Sequence, residues 1–244
     1  MNIDLQEIQQ LQAAQPPRMD MYSGIHKALR ALMADTLLAL GRMDVEDTLE
    51  LAQTTQRVIE LVEFCASHLR HENEFVHAAI EARAPGASEA IGQDHEEHLQ
   101  DIARLAAAAA GLRALPLSAR FAAAQDLYRE LALFIAHNFE HMHVEETAHN
   151  AVLWARYTDA ELVAIHDALV ASIPPEEMMF VARWMVPFMN PAERAAVLAD
   201  MRSKAPAPAF EAVLATVQPR LDAREWAKLA RALGLPPAPG LVTA

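Results

Sequence analysis

Four stretches of this chain, each some twenty residues or longer, carry apolar side chains at three- and four-residue intervals. No segment between them alternates apolar with polar residues as a half-buried strand would. Ala, Leu, Glu and Met are abundant and Gly is scarce, so helix formers prevail almost everywhere. The spacing predicts a helix over about residues 20–40, with Gly41 as its stop, and a longer one from about 44–47 to 82, ended by the turn sequence ARAPGAS. A third is predicted over about 88–109 and a fourth over about 119–154, with Ser118 as its N-cap. Short links between long helices favour an up-down antiparallel four-helix bundle. The expected fold class is therefore all-α, with the bundle in residues 1–157.

Beyond Tyr157 the helices shorten and each is announced by its own punctuation. Thr158-Asp-Ala-Glu161, Asn190-Pro-Ala-Glu193 and Asp222-Ala-Arg-Glu225 set a capping side chain three residues before a Glu, and Pro191 falls at a first helical position. Residues 158–244 are thus expected to form a C-terminal module, with helices over 159–172, 175–189, 191–204, 208–218 and 223–233 and a loosely held LPPAPG tail. Its Met178, Met179, Trp184, Met185 and Met189 read as packing, and no motif there suggests chemistry.

Several function classes drop out on composition. A net charge of −13 opposes nucleic acid or an anionic membrane as partner. No apolar run approaches the ~20 residues of a membrane span. The single cysteine, Cys65, excludes an intrachain disulfide, and the first residues have neither the basic nor the apolar region of a secretory signal; a reducing cytoplasm is the expected location.

The histidines carry the chemistry. Nine of the eleven fall between His68 and His149. Residues four apart on a helix differ by only ~40° in direction and ~6 Å along the axis, so His68-x-x-x-Glu72 and His141-x-x-x-Glu145 each aim an imidazole and a carboxylate the same way. Helical phase puts these pairs on inward stripes: Val58, Leu61, Cys65, His68, Glu72 and Phe75 on the second helix, and Leu127, Phe134, His141 and Glu145 on the fourth. His26 joins Leu29, Met33 and Leu37 on the first helix, and His95 and His98 lie beside Ile91, Ile102 and Leu105 on the third. Buried carboxylates need a balancing positive charge, and these stripes hold no Lys or Arg, so a metal ion is the simplest answer. Mixed imidazole and carboxylate donors without thiolate suit iron, with manganese or zinc as lesser options. Two ions need anions between them, and Glu72 and Glu145 are placed to bridge. The remaining histidines read differently. His77, ~180° around the wheel from His68, is expected to be structural, as are His143, His166 and His149 near the bundle end. His71 reads as a surface or supporting residue, His137 as packing or gating, and Cys65 as a small hydrophobe.

The lone His26, the HLRHENEFVH run, the DHEEH run and the HMHVEE run together resemble the hemerythrin-like, or HHE cation-binding, family, over roughly residues 20–150. The resemblance implies a non-heme iron site, commonly di-iron, with His26, His68, His95 or His98, and His141 as terminal ligands and Glu72 and Glu145 bridging. The oxygen carriers of that family use His-x-x-x-His on the third helix and a fourth-helix carboxylate five residues after its His. This chain has Asp94-x-x-x-His98, His95-x-x-His98 and a four-residue spacing, which is closer to bacterial hemerythrin-like proteins, including those linked to repair of iron–sulfur centres. Binding of O2 or NO, or handling of iron, is the expected function. The alternatives are an oxygen-activating di-iron oxidoreductase and a helical interaction protein with a structural metal.

Overall fold

The computed structural model describes residues 18–236; the leader up to Pro17 and the tail from 237 onward lie outside the described residues. Four long helical rods form the bundle. The first is α1 (Ser23–Arg42). The second is α2 (Thr48–His71), which runs through a π-helical turn (Glu72–His77) into α3 (Ala78–Arg83). The third is α4 (Glu89–Leu112). The fourth is α5 (Leu117–Val144), which passes through a second π turn (Glu145–His149) into α6 (Asn150–Arg156). Among the described residues there is no strand, and no helix is long and apolar enough to cross a membrane.

The inward stripes close around one core. Leu29, Leu32 and Met33 of α1, Val58, Leu61 and Cys65 of α2, Leu105 and Leu112 of α4, and Leu127, Leu131 and Phe134 of α5 are all buried in it. Each rod packs on the next and the fourth returns to the first. Several expected boundaries move by two or three residues, two of them for a visible reason. The first helix continues past Gly41 to Arg42, and that glycine instead makes room for Tyr128: a Cβ there would stand 3.0 Å from the ring's Cε2. The fourth helix starts at Leu117 rather than after Ser118, because the extended Pro116 already delivers the chain into the first turn.

The shorter helices fall where their caps place them: α7 (Asp159–Ser172), α8 (Pro175–Met185, ending in a 3-10 turn Val186–Phe188), α9 (Pro191–Lys204), α10 (Ala207–Val217) and α11 (Ala223–Leu233). All three capping boxes form, on Thr158, Asn190 and Asp222. A second core joins Leu198, Phe210, Val213, Val217, Trp226 and Leu229. The helix α8 belongs to both cores, since Val181 is buried with the bundle, Phe180 meets Phe64 edge-on, and Ala182 and Val186 face the second core. At the bundle's end, Leu162 of α7 is fully buried against Tyr22, Val76, Ile80 and Leu153, which closes the end nearest the histidines.

Candidate metal centre

Both carboxylates of interest begin a π turn. A π turn bonds residue i to i+5, so a side chain five residues on falls back over its predecessor instead of lying ~140° away as in an α-helix. The effect is plain after Glu72. Phe75, expected on the inward stripe, is only half-buried, while Val76 and His77 turn inward. The expected outward orientation of His77 is thereby overturned: it is 6% exposed and stacks on His95 with ring centroids 4.8 Å apart. His149, at the end of the second π turn, is also buried. π turns cost hydrogen-bond quality and persist mostly at functional sites.

Glu72 and Glu145 lie at the centre of the bundle, 2% and 0% exposed. Glu72 Oε1 is 3.1 Å from His68 Nε2 and 3.6 Å from His26 Nε2, while its Oε2 is 3.6 Å from His95 Nε2. Glu145 mirrors it: Oε1 is 3.4 Å from His141 Nε2 and 3.7 Å from His95 Nε2, and Oε2 is 3.4 Å from His26 Nε2. Each carboxylate thus presents one oxygen to the His26 side and the other to the His95 and His141 side. Two donors bound ~2.1 Å from one ion at right or tetrahedral angles are themselves about 3.0–3.4 Å apart, close to the separations found here.

The outer ring nitrogens settle the tautomers. His26 Nδ1 is 3.0 Å from Glu146 Oε1, His95 Nδ1 is 2.8 Å from Asn73 Oδ1, and His141 Nδ1 is 3.5 Å from Asp94 Oδ2. These oxygens accept, so each Nδ1 donates, and in the neutral ring Nε2 is left as a bare lone pair. The bare atoms then face one another. His95 Nε2 and His141 Nε2 are 3.0 Å apart, and His26 Nε2 and all four oxygens of Glu72 and Glu145 are buried without a hydrogen-bond partner. Lone pairs converging in a dry core repel unless protons or cations lie between them.

Without a cation, protons do this work. Burial pulls His26 down, but its hydrogen bond to Glu146 and the nearby carboxylates of Glu72 and Glu145 outweigh it and raise the pKa to about 9. Burial would raise Glu72, yet His68 and His26 hold it well below the usual carboxylate range. Glu145 is lowered by His141 and His95 against the opposing pull of burial and of Glu72. Burial likewise favours neutral Glu146, but His26 and Arg30 keep it ionised, with a pKa of about 2.

The candidates from the sequence separate cleanly. His26, His68, Glu72, His95, His141 and Glu145 converge. His98 does not: it is buried edge-on between His141 and Phe134, away from the carboxylates, and burial with the neighbouring histidines pushes it down to about 4. His71 is buried 3.9 Å from Glu177, His166 lies beside Asp167, and His137 and His143 are exposed, which leaves His137 no gating position. Burial pushes the Cys65 thiol up to about 12, so it stays protonated as a small apolar side chain. The sequence reading passed over Asn73 and Glu146, which set ring orientation, and took His149 for a structural residue. That last residue stands one turn after Glu145, and His-x-x-x-Glu-x-x-x-His was there to be read. Removing such a supporting acceptor lowers metal affinity typically ~10–100-fold, so Asn73→Ala is expected to weaken metal binding by that factor while the helical content is kept. A competition titration with a chelator measures it; unchanged affinity would show that His95 needs no support.

A four-helix bundle whose core turns imidazoles and paired carboxylates toward one another is of the class built to hold metal ions. The sequence model of the hemerythrin HHE cation binding domain matches residues 19–149, more than half of the chain, and the chain belongs to that family. No curated protein and no solved structure matches it at a significant level.

Proposed function

We propose that the bundle holds a di-iron centre that binds a small diatomic ligand, O2 or NO, or handles iron itself in sensing, scavenging or repair of iron centres. The observation that supports it best is the division of the carboxylate oxygens: Glu72 and Glu145 each give one oxygen to the His26 and His68 side and the other to the His95 and His141 side. Two positions result, each with two imidazoles and one oxygen from each carboxylate. An ion held by four protein donors would keep coordination positions open for a small ligand. Iron, when bound, supplies the redox chemistry that such a ligand meets, and the surrounding apolar core keeps bulk water away. Oxygen-activating di-iron enzymes bring Glu-x-x-His pairs and four carboxylates; two carboxylates among a majority of imidazoles fit binding better than oxidation. The buried, protonated Cys65 is consistent with residence in the cytoplasm.

The test is elemental analysis of protein purified without chelator, with a visible spectrum before and after exposure to O2 and to NO. Two irons per chain and a spectrum that shifts with one of the gases are expected. Two zinc ions, or iron whose spectrum ignores both gases, would contradict the reading.

A further inference from the structure

Next to this pair stand two further imidazoles that the pair does not use, within reach of Glu145. One ring nitrogen of His77, one of His149 and a Glu145 carboxylate oxygen lie within 4.8 Å of one another. The two rings are 6% and 2% exposed, and both Nε2 atoms are buried with no hydrogen-bond partner. Neither ring is loosely held. His77 stacks nearly parallel on His95, at 12° between planes, and meets His149 edge-on with centroids 5.3 Å apart. His149 Nδ1 is 3.1 Å from the hydroxyl of Tyr22, itself 1% exposed.

Packing alone does not account for this. A core imidazole normally spends both nitrogens on partners, because a buried polar atom left alone has lost its water for nothing. Here two neighbouring imidazoles both leave Nε2 without a partner, and both are delivered by π turns that begin at Glu72 and Glu145. Two imidazoles and one carboxylate are also the donor set of many zinc sites and of mononuclear non-heme iron(II) sites.

We propose that His77, His149 and Glu145 form a third cation position beside the core pair, which takes a first-row divalent ion more weakly than the pair does. The weakness follows from charge. Glu145 is already divided between the core positions, and an ion held by His77 and His149 feels both core cations with no carboxylate of its own. Tyr22 would assist when the cation binds, since its hydroxyl oxygen, 3.1 Å away, can accept the Nδ1 proton of His149 and leave Nε2 free.

Cobalt(II) is the probe, since its visible bands report coordination. It is titrated into the full chain stripped of metal and into the double variant His77→Gln, His149→Gln. The wild-type chain is expected to take two tight equivalents and a third at least roughly ten-fold weaker, and the double variant only the two tight ones. Saturation of the wild type at two, a third equivalent kept by the double variant, or loss of a tight equivalent in it would each overturn the proposal; the last would make these histidines ligands of the pair. Fewer than two tight equivalents in the wild-type chain would overturn the two-position reading as well. Circular dichroism checks folding. Should the double variant not fold, His77→Gln and His149→Gln separately are each expected to weaken the third equivalent at least roughly ten-fold and leave the two tight ones intact.

Discussion

Replacing Glu72 by alanine is expected to take the protein from two metal ions per chain to one or none. Two divalent ions ~3.5 Å apart repel by roughly 20 kcal/mol at an effective dielectric of 20, so the pair depends on the anions shared between them. Glu72 is one of only two carboxylates in the cluster formed with His95 and His141, and its two oxygens face the His68 side and the His95 side. Glu145→Ala should do the same by the same reasoning, and Glu72→Gln should also fail, since it keeps the shape and removes the charge. The exposed His143 supplies the control: His143→Ala should leave the metal content unchanged. Elemental analysis of the purified variants reads the result. Two ions retained in Glu72→Ala would mean that the donors lie elsewhere.

A second large effect concerns pH. In the metal-free protein the stability should peak near pH 6.5 and fall on both sides. Above that value the folded chain keeps a proton on His26 up to about pH 9 that the unfolded chain has released near the ordinary 6.5. The folded state then binds more protons, and stability falls as pH rises from 6.5 to 9, by on the order of 3 kcal/mol. Below 6.5 the balance reverses. Burial holds His77 and His98 neutral down to about pH 4 in the folded chain while the unfolded chain protonates them, so stability falls as pH drops from 6.5 to 4. Glu72 and Glu145, both lowered, add to this loss below their ordinary 4.5. A bound cation replaces the His26 proton, so the alkaline limb should vanish in the loaded protein, and the metal itself should leave between about pH 6 and 4 as protons compete for the ligands. Denaturation of chelated and loaded protein across this range checks both limbs. A metal-free stability that keeps rising through pH 9 would contradict the proton bookkeeping given for His26.

Much of this was legible in the residues. The inward stripes of Leu127, Phe134, His141 and Glu145 follow from a three-and-four spacing that an α-helix cannot disguise, and the three capping boxes mark the starts of α7, α9 and α11 to the residue. The legible part ended where the backbone left the α-helix. A π turn has no signature in residue type, so the phase carried forward from His68 put His77 outside and Phe75 inside, and one widened turn reversed both. His95 and His98 lie ~60° apart on an ideal helix, too little for spacing to choose between them. Asn73 decided it, because its side-chain oxygen holds the His95 ring toward the carboxylates while His98 packs on Phe134. The shared helix α8 was hidden for another reason. Apolar residues on all its sides read equally well as one core or two, and Val181 and Val186 turn out to face different ones.

If Glu72 and Glu145 together hold two metal ions, each ion would touch one oxygen of each carboxylate. Anomalous diffraction at the iron edge from crystals of the iron-loaded chain tests it most directly. Two peaks are expected between the carboxylates, one beside His26 and His68 and the other beside His95 and His141. A single peak on one side, or none between Glu72 and Glu145 in protein shown to contain iron, would contradict it.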